Sequence, residues 1–296
     1  MRKTVIQAIA ISLMLVVLSV GASFAAQEEG VRVGFIKGDI SLGNDGQWQA
    51  AKAVKVPLLA LETTNALKNG TVPTADAKAL NSNARYVFNL SKQAPTVTVK
   101  AVHNGKKVAF QLTWDDATSD TENAIDTFRD SVALMFPVNQ AATFYPSPLM
   151  GAKGEPVNVW QWRADWQAEK DGKRNLDARQ PLTGGVHVSY SDAILKTQYP
   201  EKPSPDATMI QYISEGYGTL TKLKHQSPSA KGTYNKGKWT VVFVRDMKRA
   251  EGGDAEFVSG KKTYVNLAAW NGAGGDVNGM KSISIVWTPL VFDTER

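Results

Sequence analysis

Apolar and polar residues alternate with a period of two along much of this chain. Residues 96–101 and 107–114 flank Asn104-Gly105, a dipeptide suited to the positive-φ positions of a tight hairpin, and Val108, Phe110, Leu112 and Trp114 share one face. Further strand-like runs cover residues 130–137, 185–190, 238–244, 264–270 and 282–288. Trp239, Val241 and Phe243 alternate after a turn at Asn235-Lys236-Gly237, and Ile283, Ile285 and Trp287 alternate in the last run. Helical periodicity is confined to part of 51–67 and to 76–81. The pattern predicts an all-β, antiparallel β-sandwich with a few short helices. Between the strands lie long connections at 138–154, 169–180 and 199–206. Loops of that length in a compact domain usually serve function or a partner.

The first 25 residues read differently. Arg2 and Lys3 precede an apolar run over 5–20, and Ser23-Phe24-Ala25 places small residues at −3 and −1 of a cut, as in a secretory leader cleaved after Ala25. The run is shorter than the ~20 residues that span a bilayer, so the mature chain is expected to carry no membrane span and to be exported. Residues 26–296 show no internal repeat and no clean boundary, and are read as a single domain.

Composition narrows the chemistry. Of 296 residues, 43% are hydrophobic and 21% charged, as in a globular protein with a sizeable core. Cys is 0, which removes disulfides, a catalytic thiol, iron–sulfur ligation and covalent haem attachment together, and 3 His make a multi-histidine metal site improbable. A Cys-free exported chain suits a bacterial periplasm, where it cannot be mis-oxidised. Losing Arg2 and Lys3 lowers the formal charge from +6 to +4, too weak to argue for nucleic acid without a basic patch interleaved with aromatics. No G-x-S-x-G or H-E-x-x-H accompanies the scattered His103, His187 and His225, and Trp114-Asp115-Asp116 is the only notable acidic cluster. A stand-alone hydrolase has little to rest on.

Three places remain where chemistry could sit. In Asp130-Ser-Val-Ala-Leu-Met-Phe-Pro137, Val132, Leu134 and Phe136 form one face, while Met135 lies with Ala133 on the other. Met135 reads either as a core residue filling a gap or as a thioether ligand to haem iron. Lys281, after the Gly/Asn-rich loop 271–279, has the parity of Ile283 and Ile285. It is either a solvated charge or a desolvated amine that loses its proton readily and can bind a metal. The third place is the cluster Trp160-Gln-Trp-Arg-Ala-Asp-Trp166. It could line a sugar groove, wall a flat cofactor or pack between sheets.

Taken in order, these segments resemble the haem b-binding gamma subunits of type II DMSO reductase-family molybdoenzymes, whose parent complexes include ethylbenzene dehydrogenase, dimethylsulfide dehydrogenase, selenate and chlorate reductases and nitrite oxidoreductase. The matching pieces are Trp48 with 54–59, the 130–137 strand with its Met-Phe-Pro, the 160–166 run, Glu215-Gly-Tyr-Gly218, 239–245, and Ala269-Trp-Asn-Gly272 through Asn278-Gly-Met-Lys-Ser282. The resemblance implies a DOMON-like sandwich holding one non-covalent haem b with Met135 and Lys281 as axial ligands. Phe136, Trp160 and Trp162 are then expected to wall the haem, and Arg245 to meet a propionate. It further implies a non-catalytic, periplasmic electron-transfer subunit. Its partners would be a molybdenum-containing catalytic alpha subunit, an iron–sulfur beta subunit and a soluble carrier such as a c-type cytochrome. Segments 69–92 and 151–179 are longer than in the shorter members, which leans the chain towards the nitrite/nitrate oxidoreductase-like branch. Two alternatives stand beside this reading: a haem-free carbohydrate-binding module using the Trp cluster, and a b-type cytochrome pairing Met135 with His187 or His225.

Overall fold

A computed structural model describes residues 30–63, 86–122, 127–139, 145–173, 202–216, 218–250 and 252–295. The leader 1–25, the helical stretch 76–81, the run 185–190 and His187 lie outside the described residues.

The alternation becomes strands. In chain order these are β1 (Val31–Phe35), β2 (Val54–Pro57), β3 (Leu59–Thr63), β4 (Tyr86–Asn89), β5 (Thr96–His103), β6 (Lys107–Asp115), β7 (Ser131–Pro137) and β8 (Val157–Arg163). After helix α1 (Ala164–Lys170) come β9 (Met209–Ser214), β10 (Thr221–Lys222), β11 (Ser229–Tyr234), β12 (Lys238–Asp246), β13 (Lys262–Trp270), β14 (Lys281–Ile283) and β15 (Thr288–Phe292). The helix expected within 51–67 is replaced by β2 and β3. Val54 and Val56 are buried while Lys55 is exposed, a period of two that the β-branched valines favour. The run 282–288 is also not one strand: β14 ends at Ile283, the chain bends through exposed Ile285 and Val286, and β15 begins at Thr288.

The strands form two layers joined at β13. One layer runs β11–β12–β6–β5–β1–β15, with β2 on the same edge of β5 as β1; the other runs β10–β9–β8–β7–β13, continued by β14, β3 and β4. The first half of β13 pairs with β15 and its second half with β7, so this strand turns the corner between the layers. β1 is parallel to both neighbours, β5 and β15; the other pairings are antiparallel.

Between the layers Phe110, Leu112 and Trp114 of β6 meet Val132, Leu134 and Phe136 of β7 and Trp160 and Trp162 of β8. Phe136 lies 4.8 Å from Trp160 and 5.5 Å from Phe110 between ring centroids, with tilted rings. Trp162 meets Trp239 edge-on at 5.0 Å. Offset and edge contacts of this kind suit the ring quadrupoles. The alternate residues of the same strands face outward and build a second cluster: Ala133, Met135, Val157, Val159, Ile210, Tyr212, Trp166 and Trp270. Strand β7 is therefore buried on both faces, which is why it reads as an almost unbroken apolar run.

The loop between β13 and β14 is tied to the start of β7. Gly272 donates its N–H to the Asp130 carboxylate at 2.9 Å, and the Asp120 N–H and the Trp239 indole N–H donate to the same group at 2.8 and 2.9 Å. A Cβ on Gly272 would stand 2.1 Å from the Phe128 carbonyl oxygen, so no larger residue fits there. Burial pushes the Asp130 carboxyl up to about 7. The other end of the loop is closed by Asp276, which accepts from Lys92 Nζ at 2.7 Å and from Asn271 N–H at 3.1 Å.

Candidate functional site

The outward face of the second layer carries an open, mostly apolar crevice. Ala133 and Met135 of β7, Val159 of β8, Asn266 to Ala268 and Trp270 of β13, and Lys281 and Ile283 of β14 line it from the sheet. Pro148, Leu149 and Met150 close it from the β7–β8 connection. The alternation delivers these side chains: Met135 stands opposite Asn266 on one side and Val159 on the other. Small Ala133 pairs with small Ala268, which keeps the floor low.

Met135 and Lys281 thus come to one crevice from remote parts of the chain. Continuing the β13–β14 register sets Lys281 beside Trp270, four residues along β13 from the Asn266 that neighbours Met135. At about 3.3 Å per residue and 4.8 Å per strand, the two Cα atoms stand roughly 16 Å apart. That separation leaves room for a group held from both ends.

Lys281 is buried. Burial lowers its amine to about 8, well under an ordinary lysine, because the ammonium loses its hydration. Its Nζ lies 5.0 Å from the Trp270 ring centroid and donates to Met150 Sδ at 3.5 Å. Trp270 is itself fixed: its indole N–H donates to the Asn278 carbonyl at 3.0 Å, in the turn that leads into β14. One residue therefore shapes the loop before Lys281 and covers its amine.

Asn266 adds a polar feature. Its Oδ1 accepts from the Leu267 N–H at 2.9 Å and from the Ser284 hydroxyl, so the amide is held from the β14 side. Its Nδ2 is buried without a hydrogen-bond partner among the described residues. An amide donor left open beside a crevice costs free energy unless something enters to accept from it. A thioether, a readily neutralised amine and an open amide N–H within apolar walls are a donor set that fits a metal-centred, largely apolar cofactor such as haem.

The other residues expected at a haem stand elsewhere. Phe136, Trp160 and Trp162 occupy the opposite face of β7 and β8, in the core between the layers, and do not line the crevice. The physical reason is parity: each sits one residue from a crevice-facing neighbour. Arg245 is neither a surface charge nor at the crevice. Its guanidinium lies 4.6 Å from the Phe257 ring and 5.1 Å from the Trp160 ring, and donates to the Ala255 carbonyl at 2.7 Å inside the core. Trp166 is on the crevice side, with Arg163 4.6 Å over its ring. His103 is buried between Phe35 and Phe292 in the other layer, and His225 is exposed beside β10; neither lines the crevice. Sequence reasoning did not single out Asn266 or Met150. Asn266 has the parity of Ala268 and Trp270, a signal that was available; Met150 had none beyond lying in a long loop.

Fold and site together define a β-sandwich protein with a buried thioether–amine crevice on one sheet face. Residues 45–282, which include both Met135 and Lys281, match the family model described as ethylbenzene dehydrogenase, and the chain belongs to that family. A Haloferax mediterranei protein provisionally named respiratory nitrate reductase heme subunit ORF7 is 25% identical over 224 residues, covering 75% of this chain and 64% of its own length. The chlorate reductase subunit gamma of Ideonella dechloratans is 24% identical, with coverages of 66% and 64%, and the dimethylsulfide dehydrogenase subunit gamma of Rhodovulum sulfidophilum is 24% identical, with 64% and 58%. The chain therefore spans under two thirds of the length of these relatives. The resemblance to gamma subunits of DMSO reductase-family enzymes is borne out. A family 9 carbohydrate binding module from Caldicellulosiruptor kristjanssonii in complex with glucose superposes with a TM-score of 0.44 at 6% identity, over 90% of this chain and 96% of that one. So distant a likeness has no bearing on ligand.

Proposed function

We propose that this protein is a non-catalytic electron-transfer subunit that holds one haem b between Met135 and Lys281. The observation that carries the reading is the convergence of these two side chains on one apolar crevice. When bound, haem b supplies a one-electron iron couple. Met135 offers a thioether, which favours the ferrous state, and Lys281 a stronger σ-donating amine that partly opposes it. Burial of Lys281 makes the neutral, ligating form accessible near pH 8. Asn266 Nδ2 offers a hydrogen bond to an acceptor on the bound group, and the walls of Ala133, Val159 and Ile283 exclude water. If Met135 and Lys281 both held the haem, it would serve electron transfer rather than substrate binding, and bond chemistry would belong to a partner.

The relatives' names extend the proposal. One is named a heme subunit and two are named gamma subunits of oxidoreductases. We read this chain as a subunit of a molybdoenzyme complex, relaying electrons between an iron–sulfur subunit and a soluble periplasmic carrier. It would be exported by the leader at 1–25 and fold as one domain over 26–296. Among the described residues no helix is long and apolar enough to cross a membrane. Trp160, Trp162 and Trp166 are all buried, which weighs against a carbohydrate-binding reading that uses this cluster as its stacking surface.

The test is a visible spectrum of the purified protein, oxidised and then reduced, with a pyridine haemochrome assay. We expect a low-spin b-type spectrum at about one haem per chain, lost or converted to high spin in Lys281→Ala and in Met135→Ala. A chain that takes up no haem when it is supplied, or variants with an unchanged spectrum, would overturn the reading.

A further inference from the structure

Met150 is the feature of the crevice that neither the sequence nor the proposed ligand pair explains. It is buried, borders the crevice, and its sulfur sits 3.5 Å from the Lys281 amine. Its backbone holds φ at 74°, in the left-handed region that a residue with a side chain adopts only at a cost. The surroundings enforce that conformation. Gly216 N–H donates to the Met150 carbonyl at 2.8 Å, and Gly151 N–H donates to the Ser147 carbonyl at 2.9 Å. Gly151, at φ 82°, is packed so closely that a Cβ would lie 2.8 Å from the Glu155 carbonyl oxygen before β8 and 3.0 Å from that of Ser214 at the end of β9. The turn is thus clamped to the end of β9, and the Trp287 indole N–H holds its other side through the Pro146 carbonyl at 2.7 Å. A strained residue fixed on both sides, with its thioether on a buried amine, is a built arrangement.

We propose that Met150 is a positioning residue for Lys281: its sulfur accepts one N–H of the amine and so aims the nitrogen lone pair into the crevice. The inference rests on Lys281 being an iron ligand. On ligation the ammonium releases one proton to solvent, the freed lone pair goes to the iron, and one of the two remaining N–H bonds stays on Met150 Sδ. Partners that orient a ligating side chain in this way typically change metal-site affinity by about 10- to 100-fold when removed. Sulfur is a weak acceptor, so the effect belongs at the lower end.

The experiment compares Met150→Leu and Met150→Gln with the parent in the full-length, haem-loaded protein. Leu has a similar volume and an unbranched Cβ, so it meets the same backbone demand without an acceptor; Gln restores an acceptor. The readouts are the low-spin fraction of the ferric spectrum and the concentration of added imidazole that displaces the lysine. We expect Met150→Leu to retain haem b but to yield to about tenfold less imidazole, and Met150→Gln to recover most of the loss. Unchanged imidazole competition in Met150→Leu would overturn the inference. Loss of the sulfur-to-iron charge-transfer band in Met150→Leu, with the band kept in Met135→Ala, would also overturn it, by making Met150 the ligand itself. An unchanged spectrum in Lys281→Ala is a different result: it removes the ligand reading on which the inference stands.

Discussion

Met135 and Phe136 are neighbours on β7, both buried, and belong to different surroundings. Phe136 is clasped by Phe110, Trp160 and Phe257, all within 6 Å between centroids, in the core between the layers. Met135 faces outward into a crevice that also holds an amine, an unsatisfied amide and a strained methionine turn. One face of the strand is packed to completion. The other is shaped around something further. Burial alone therefore does not separate stability from chemistry in this protein; what separates them is whether a buried side chain faces the packed core or the crevice.

The sharpest way to break that contrast is to mutate across it. Phe136→Ala is expected to destabilise the chain by about 3–5 kcal/mol through the cavity it leaves, read by chemical denaturation, while the folded fraction keeps the parent haem spectrum type. A changed ligation signature there would mean the two faces are coupled.

Asp130 tests the tie between the loop before Lys281 and β7. Its carboxyl is raised from 3.8 to about 7 by burial, so between these values the folded chain holds a proton that the unfolded chain has released. Its contribution to stability is then greatest at the acid end and falls as pH rises through this window, by up to about 4 kcal/mol. Asp130→Asn should flatten that part of the stability-against-pH curve; an unchanged slope would show that the tie does not carry the buried charge.

Smaller effects sharpen the crevice side. Asn266→Ala should lower haem affinity by about tenfold, the value of one net hydrogen bond, measured by haem transfer to a competing apoprotein. Met135→Leu, a volume-conserving exchange, should cost the haem-free chain under about 1.5 kcal/mol and yet remove the sulfur-to-iron band. Equal stability losses in Met135→Leu and Phe136→Ala would erase the contrast.

Much of this was legible in the chain. Strict alternation at 107–114 and 238–244 leads to β6 and β12 with only their ends extended, because a strand that buries one face more than the other must alternate. The opposite facing of Met135 and Phe136 follows from the same parity. Residues 54–63 were not legible as strands: Pro57 and a run of Leu and Ala blur the period. The tail 282–288 misled in another way, since an alternating pattern continues through a bend at Ile285 and Val286 that only the position of β15 requires.

The sequence by itself determined the layered β architecture, which residues share a face of each strand, and the absence of thiols that limits the chemistry to amines, thioethers and a bound group. Which strands are neighbours was decided by the tertiary structure. Lys281 and Met135 line one crevice because β13 stands between β14 and β7. Met150 reaches Lys281 because its turn is clamped to β9. Arg245 ends inside the core because Trp160 and Phe257 receive it. Local alternation sets the side a residue faces; only the pairing of distant strands sets whom it meets there.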